Sequence, residues 1–161
     1  MRALPALAIL LLSFTAQAAC TDGAAPGVVW RRCLLDQANL HGADLTGAVL
    51  RDSSFRRGDL SGAKLARIEA TDARFVSADL SKADLTEATL LSADMTRANL
   101  SGAVLVRADL RRATLFGANL RESDLTGADL SGADLTSARL DGARWTDGTR
   151  ICGTASFGQC R

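Results

Sequence analysis

The chain of 161 residues contains no tyrosine, two prolines and one histidine, and only 4% of it is aromatic although 47% is hydrophobic. A conventional globular core needs more large side chains, so the apolar content here must come from many small and medium ones. Charge of one sign is also missing. The 19 basic residues face 18 acidic ones, and without the first nineteen residues, which hold only Arg2, the counts are 18 and 18. A neutral chain has no electrostatic reason to take nucleic acid or an anionic membrane as its main partner. The length suits one domain and is short for two.

Residues 1–19 differ from everything after them. Met1 and Arg2 give a short basic start, Ala3 to Phe14 is almost wholly apolar, and "AQAAC" closes the run with small residues at Ala16 and Ala18. This is the pattern of a secretory signal cleaved after Ala18 or Ala19. The apolar run is shorter than the roughly 20 residues a spanning helix needs, so the processed protein is not expected to be integral to a membrane. A periplasmic or secreted location is expected. Lipid anchoring through Cys20 is the weaker alternative, because Gln17 stands where a lipobox has a branched apolar residue and lipidation would strand Cys33.

No cysteine lies between Cys33 and Cys152; the four are Cys20, Cys33, Cys152 and Cys160, two near each end. An even count in an exported chain favours disulfides, here Cys20 to Cys33 and Cys152 to Cys160. Zinc is a poor alternative: there is no C-x-x-C pair, and the lone His41 is remote in sequence from the second pair. No metal and no cofactor are expected.

What the sequence has in abundance is a period of five. Large residues occupy almost every fifth position, from Trp30 through Leu40, Leu45, Leu60, Leu80, Leu100, Leu120 and Leu140 to Trp145, and a small residue, usually alanine, precedes each by two. Only one unit breaks both rules, with Ile68 in the small place and Ala70 in the large one. That exchange suggests that the two places share one interior whose volume is conserved. On an α-helix five residues advance about 500°, so the leucines would spiral and form no face. On an unbroken strand successive leucines would point to opposite sides. The pattern fits a chain that is extended for about three residues, turns a corner and repeats. Such units bury their leucines only by stacking. Positions 44, 64, 84, 104, 124 and 144 read Asp, Lys, Asp, Val, Asp, Arg, and Phe55, Phe75 and Met95 also stand twenty apart. A period of twenty, hence four sides per turn, would make vertical neighbours of opposite charges and of aromatic rings.

The tandem A(D/N)LXX units, as in "QANLHGADLTGAVL" and "ANLRESDLTGADLSGADLTSARL", resemble the pentapeptide-repeat proteins over roughly residues 30–145. The resemblance implies an all-β fold: a right-handed quadrilateral β-helix with four pentapeptides per coil, 24 units and about six coils. Its rod would be on the order of 25 to 30 Å long. Domain limits follow as a signal at 1–19, an N-terminal cap at 20–33, the β-helix at 30–145 and a cysteine-loop cap at 146–161. Open coil ends need covers. Trp30 and Trp145 are expected to shield the terminal layers, with Ile151 and Phe157 folded onto the last. Each short disulfide loop should contribute about 2 to 3 kcal/mol.

Catalysis finds little material. The repeated aspartates precede an inward residue and are turned outward, and a hydrolytic set of His41, Ser61 and Asp44 would sit on a flat side without a cleft. A non-enzymatic chain is expected. The surface candidates are Arg51, Arg56, Arg111 and Arg112 for a polyanion, with interleaved acids that favour self-pairing, and Val106 and Phe116 for a protein contact. Threonines at 46, 86, 126 and 146 are explained by β-propensity. The family's best-known activity, binding DNA gyrase by mimicking DNA, belongs to acidic cytoplasmic proteins that dimerise through a C-terminal helix. This chain departs on all three counts. The reading that follows is an exported binding or structural scaffold, monomeric or weakly self-associating, whose partner is a protein or an envelope component; a topoisomerase-directed DNA mimic or inhibitor is the alternative.

Overall fold

The computed structural model describes residues 20–161. The secretory reading of residues 1–19 lies outside the described residues. Among the described residues no helix is long and apolar enough to cross a membrane.

The corner is the unit from which the fold is built. After each large residue come two turn residues, and the second of them has a positive φ at every fifth position from Gly27 to Gly142, between +54° and +74°. The following small residue donates its amide to the large residue's carbonyl, as Ala38 does to Leu35 at 3.1 Å and Ala98 to Met95 at 3.0 Å. The i-to-i+3 bond with a left-handed third residue makes a tight turn. Between corners, the middle residue of each short side forms a parallel bridge to the residue twenty positions on, from Val29 with Val49 to Asp124 with Arg144. The expected period of twenty is therefore the coil itself, and the chain forms a four-sided β-helix. Its first side runs through Val29, the second through Leu34, the third through Asn39 and the fourth through Asp44, each continued at steps of twenty.

Coils are joined at three points per side. Trp30 donates to the Val49 carbonyl at 2.8 Å, Arg32 to Arg51 at 3.0 Å, and Val49 back to Val28 at 2.8 Å, a scheme repeated along the rod. The middle residue faces out, and its two flanking neighbours face in. Leu45, Leu60, Leu80, Leu100, Leu120 and Leu140 are buried, and the alanines at 48, 63, 78, 88, 98, 103 and 118 accompany them. Phe55 and Phe75 stack with centroids 5.2 Å apart and planes 7° from parallel, and Trp30 tilts against Phe55 at 6.5 Å. Ile68 and Ala70 are both buried, so their exchange conserves interior volume where the aromatic rings are stacked. Ser53 and Ser123 replace alanine without leaving a polar atom unmatched. The Ser53 hydroxyl donates to the Trp30 carbonyl and accepts from the Cys33 amide, and Ser123 donates to Leu120.

Both ends are closed on some sides only. Cys20 is bonded to Cys33, and the Trp30 indole donates to the Asp22 carbonyl at 3.2 Å. These contacts cover the first side and leave Leu40 of the third only partly buried, together with Leu35, while Leu34 is 82% exposed. At the other end the tail folds back in two antiparallel bridges, Arg144 with Ile151 and Arg139 with Phe157, and Cys152 is bonded to Cys160. Here the structure corrects the expected cap. Because Cys152 and Ser156 turn inward, the residues beside them turn outward, and Ile151 and Phe157 remain 51% and 55% exposed. Trp145 is part-buried rather than a full cover, and Leu130 and Leu135 are part-buried as well.

Two outcomes test this packing. Ala70→Leu alone should destabilise by about 1 to 3 kcal/mol through overpacking and Ile68→Ala alone by about 2 to 5 kcal/mol through a cavity. The double variant should cost less than the sum in a urea melt; strict additivity would contradict a shared interior. Alkylation under denaturing, non-reducing conditions followed by intact-mass measurement should find all four cysteines protected, and labelling of any of them would contradict the pairing described.

Candidate binding surface

The outward positions fall into vertical columns, and their chemistry is set by the corner. Where the middle residue is Asp or Asn, its side-chain oxygen accepts the amide of the residue two positions on, and commonly that residue's hydroxyl as well. Asp44 accepts from Thr46 at 3.1 and 2.8 Å, Asp84 from Thr86 at 3.0 and 2.6 Å, and Asn99 from Ser101 at 3.3 and 2.9 Å. The D/N of the repeat is thus a turn acceptor that satisfies the first corner amide. The recurring D-L-S/T triplets carried this signal in the sequence.

The same bonds set the acidity of the carboxyls. The hydroxyl of Thr46, then its amide, hold Asp44 below its ordinary value; Ser61, Ser131 and Thr136 do the same for Asp59, Asp129 and Asp134. The Ser54 hydroxyl lowers Asp36, and the guanidiniums of Arg111 and Arg121 lower Asp109 and Asp141. Each lowered carboxyl binds its proton less readily folded than unfolded. Its contribution to stability is complete above the ordinary value and is lost as pH falls through the folded one.

Columns also pair vertically. On the fourth side Lys64 meets Asp44 at 3.4 Å and Arg144 meets Asp124 at 3.7 Å, and at the corner between the fourth and first sides Arg107 meets Glu87 at 2.8 Å. On the third side Asn119 donates to Asn99 at 3.0 Å and Asn99 to Asp79 at 3.1 Å.

The imagined hydrolytic set does not assemble as His41, Ser61 and Asp44. His41 Nδ1 is 2.8 Å from the Ser61 hydroxyl, but that hydroxyl donates to Asp59 at 2.5 Å while Asp44 is engaged by Thr46. The carboxylate holds the serine proton, so the imidazole must donate to the serine and has no role as its base. The group lies on an exposed corner column. A recess of about 520 Å³ lies elsewhere, lined by Arg121, Glu122, Asp141, Thr154, Ala155 and Phe157 between the last coil and the tail. It is open, and the Arg121–Asp141 ion pair at 2.9 Å already occupies its polar wall.

The surface candidates are dispersed. Arg51 and Arg111 share the corner column between the first and second sides, and both are engaged: Arg51 with Glu69 at 2.7 Å, Arg111 with Asp109 at 2.7 Å and Asp129 at 3.8 Å. Arg112 stands beside Arg111 in the neighbouring column. Arg56 and Phe116, the latter 39% exposed, share the next corner, and part-buried Val106 lies on another edge of the rod.

Stacked five-residue corners with alanine and leucine inward and Asx-capped turns outward define a class, and the chain belongs to the pentapeptide-repeat family. The family model, "Pentapeptide repeats", matches in 8 copies over residues 17–52, 33–68, 53–90, 93–132 and 113–144. Among solved structures, the chain is similar to HetL, a pentapeptide-repeat protein involved in heterocyst differentiation regulation in the cyanobacterium Nostoc sp. strain PCC 7120. The two are 32% identical over 80% of this chain and 73% of that one, with a TM-score of 0.48. It is also similar to alr5209, a pentapeptide-repeat protein from Nostoc PCC 7120, at 32% identity over 56% of this chain and 82% of that one, TM-score 0.50. QnrB1, a plasmid-mediated fluoroquinolone resistance protein, is 21% identical over 73% of this chain and 70% of that one, TM-score 0.47. No curated protein matches the chain.

The Asx-capped corners make a pH profile informative. Thermal midpoints should be level from neutrality down to about pH 5 and fall below about pH 4, as the carboxyls become protonated. A midpoint that rises on acidification through that range would contradict the depressed carboxyls.

Proposed function

We propose that the chain is an exported, non-enzymatic scaffold that presents a rigid β-helical surface to a protein or envelope partner. Its finer architecture is read as a right-handed rod of six coils at 30–145, held between a cap at 20–33 and a cysteine-loop cap at 146–161 after removal of a signal at 1–19. The observation that carries the reading is the pair of disulfides, one at each end of a rod with flat sides. They point to an oxidising compartment, one tying the N-terminal segment to the first coil and the other closing a loop in the C-terminal tail. Two features support binding rather than chemistry: the interior is filled by alanine and leucine, and the imidazole is placed as a donor to a serine already engaged by a carboxylate.

A DNA-mimic reading, which likeness to a fluoroquinolone resistance protein brings to mind, needs a continuous acidic track. Here Lys64, Val104 and Arg144 interrupt the aspartates of the fourth side, and nine arginines stand on the second side and its two corners.

In-cell photo-cross-linking from position 116, with the captured protein identified by mass spectrometry, tests the proposal. The expected result is a specific adduct with an exported or envelope protein. Recovery of a cytoplasmic topoisomerase alone would overturn it in favour of the DNA mimic.

A further inference from the structure

Although the chain is neutral as a whole, its charge is not evenly spread around the rod. The second side and its two flanking corners carry nine arginines against five aspartates, and the remaining surface therefore has an acidic excess. Pairing differs as well. On the other sides most cations are engaged, as in Lys64–Asp44, Arg107–Glu87, Arg121–Asp141 and Arg144–Asp124. Around the second side, successive coils contribute Arg31 and Arg32 at the corner with the first side, Arg56 and Arg57 at the corner with the third, Arg74 on the side itself, next to Asp94 in its column, and Arg97 at the corner with the third. All six are exposed, and none makes an ion pair among the described residues. Asp36, whose charge Arg56 and Arg74 feel, already accepts the Ser54 hydroxyl and the Arg56 amide at 3.0 Å.

The guanidiniums follow the long axis of the rod. The stem of Arg97 lies over the next coil, its Cγ 3.6 Å from where a Cβ on Gly117 would stand, and Arg112 lies over Gly132 in the same way at 3.6 Å. With coils about 4.8 Å apart, cations recur at the spacing of one or two coils over roughly 15 to 20 Å. A guanidinium is weakly hydrated and forks onto carboxylate or phosphate oxygens. Guanidiniums along both edges of a flat side fit an extended chain laid between them that carries one anionic group every residue or two.

We propose that the second side is a binding track for an extended anionic glycan, one bearing carboxylate or phosphate groups along a linear backbone. The proposal rests on the scaffold reading and names the chemistry of an envelope partner. A glycan is favoured over a nucleic acid because disulfides place the chain in an oxidising compartment, and because a flat side offers neither a groove for a duplex nor an aromatic platform for stacked bases.

The test uses the oxidised protein with fluorescein-labelled polygalacturonate, neutral dextran and duplex DNA as probes, followed by anisotropy over a salt series. Polygalacturonate should bind with an affinity that falls steeply with salt, and dextran should not bind. The triple variant R56Q/R57Q/R74Q should lose about tenfold or more in affinity, and R74Q alone should lose a smaller part. A charge-matched control, R67Q/K82Q/R139Q, removes three exposed unpaired cations from other parts of the rod and should bind as the unmodified protein does. Equal losses in both triple variants, no binding of polygalacturonate, or preference for the duplex would each overturn the track. Cross-linking to an exported protein that survives in R56Q/R57Q/R74Q would leave the scaffold reading standing after the track had failed.

Discussion

Every feature of this protein depends on the left-handed residue that ends each corner. From Gly27 to Gly142 the second turn residue has a positive φ without exception, yet fifteen of these residues are not glycine. A non-glycine residue in that region costs about 1 to 2 kcal/mol, so the strain has to be carried by something else. The coil-to-coil bonds carry it. The strained residue's own amide is bonded to the neighbouring coil, as Arg57 to Val76 at 3.0 Å and Arg97 to Phe116 at 2.9 Å. The turn is closed by the following alanine. Once the corner is fixed from both directions, the side chain at its apex has nothing left to do but point away. That is why arginine, glutamate, lysine, serine and glycine all occupy one position, and why the apex is available for recognition.

The corner also explains the two periods. Three extended residues between turns leave an odd count of five, which places the small and large residues of each side on the same face and returns the direction after four corners. An interior built this way is narrow, and its volume is rationed coil by coil. Trp30, Phe55 and Phe75 form a run of rings at the N-terminal end, and in that neighbourhood the large place shrinks to Ala70 while the small place grows to Ile68. Glycine has a second use. Gly127 follows Arg107 in the same corner column, and a Cβ there would stand 3.2 Å from the arginine's Cγ. The long side chain of one coil lies across the glycine of the next, and so glycine marks where a neighbour leans as well as where the backbone turns.

The inward half of this molecule was legible because burial imposes the same answer coil after coil, and repetition turns a weak preference into a register. The columns at 44, 64 and 84, and the aromatic column at 55 and 75, were legible for the same reason. Less was legible where the period stops. At the ends the tail runs antiparallel and the alternation is set by Cys152 and Ser156, so Ile151 and Phe157 turn outward although they are the more hydrophobic residues. Hydropathy points to the wrong partners when a disulfide already fixes which side faces in. The aspartates show a different limit. Their outward direction followed from the count of five, but their purpose as acceptors for the next corner depends on hydrogen bonds between positions that a hydrophobic pattern treats as spacers.

Net charge is the quantity that misleads most here, because it averages over a surface that the fold divides. Residues five apart in sequence lie on adjacent sides, and residues twenty apart lie one above another. A block such as Arg56-Arg57 therefore has Asp36 and Gln37 on one side of it along the rod and Val76 and Ser77 on the other, with Arg97 one coil further on. Interleaving along the sequence does not mean pairing in space: Arg51 and Arg111 find carboxylates on the first side, whereas Arg56 and Arg74 act on Asp36, whose acceptor capacity is already engaged by Ser54 and the Arg56 amide, and Arg74 makes no ion pair with Asp94, its neighbour in the column, among the described residues. A four-sided rod can thus be neutral in total while one side and its two corners carry an excess of arginine. For a scaffold whose interior is uniform, this partition of charge among sides is the freedom the fold leaves for specificity. It acts at the apex of a corner that the rest of the structure holds fixed.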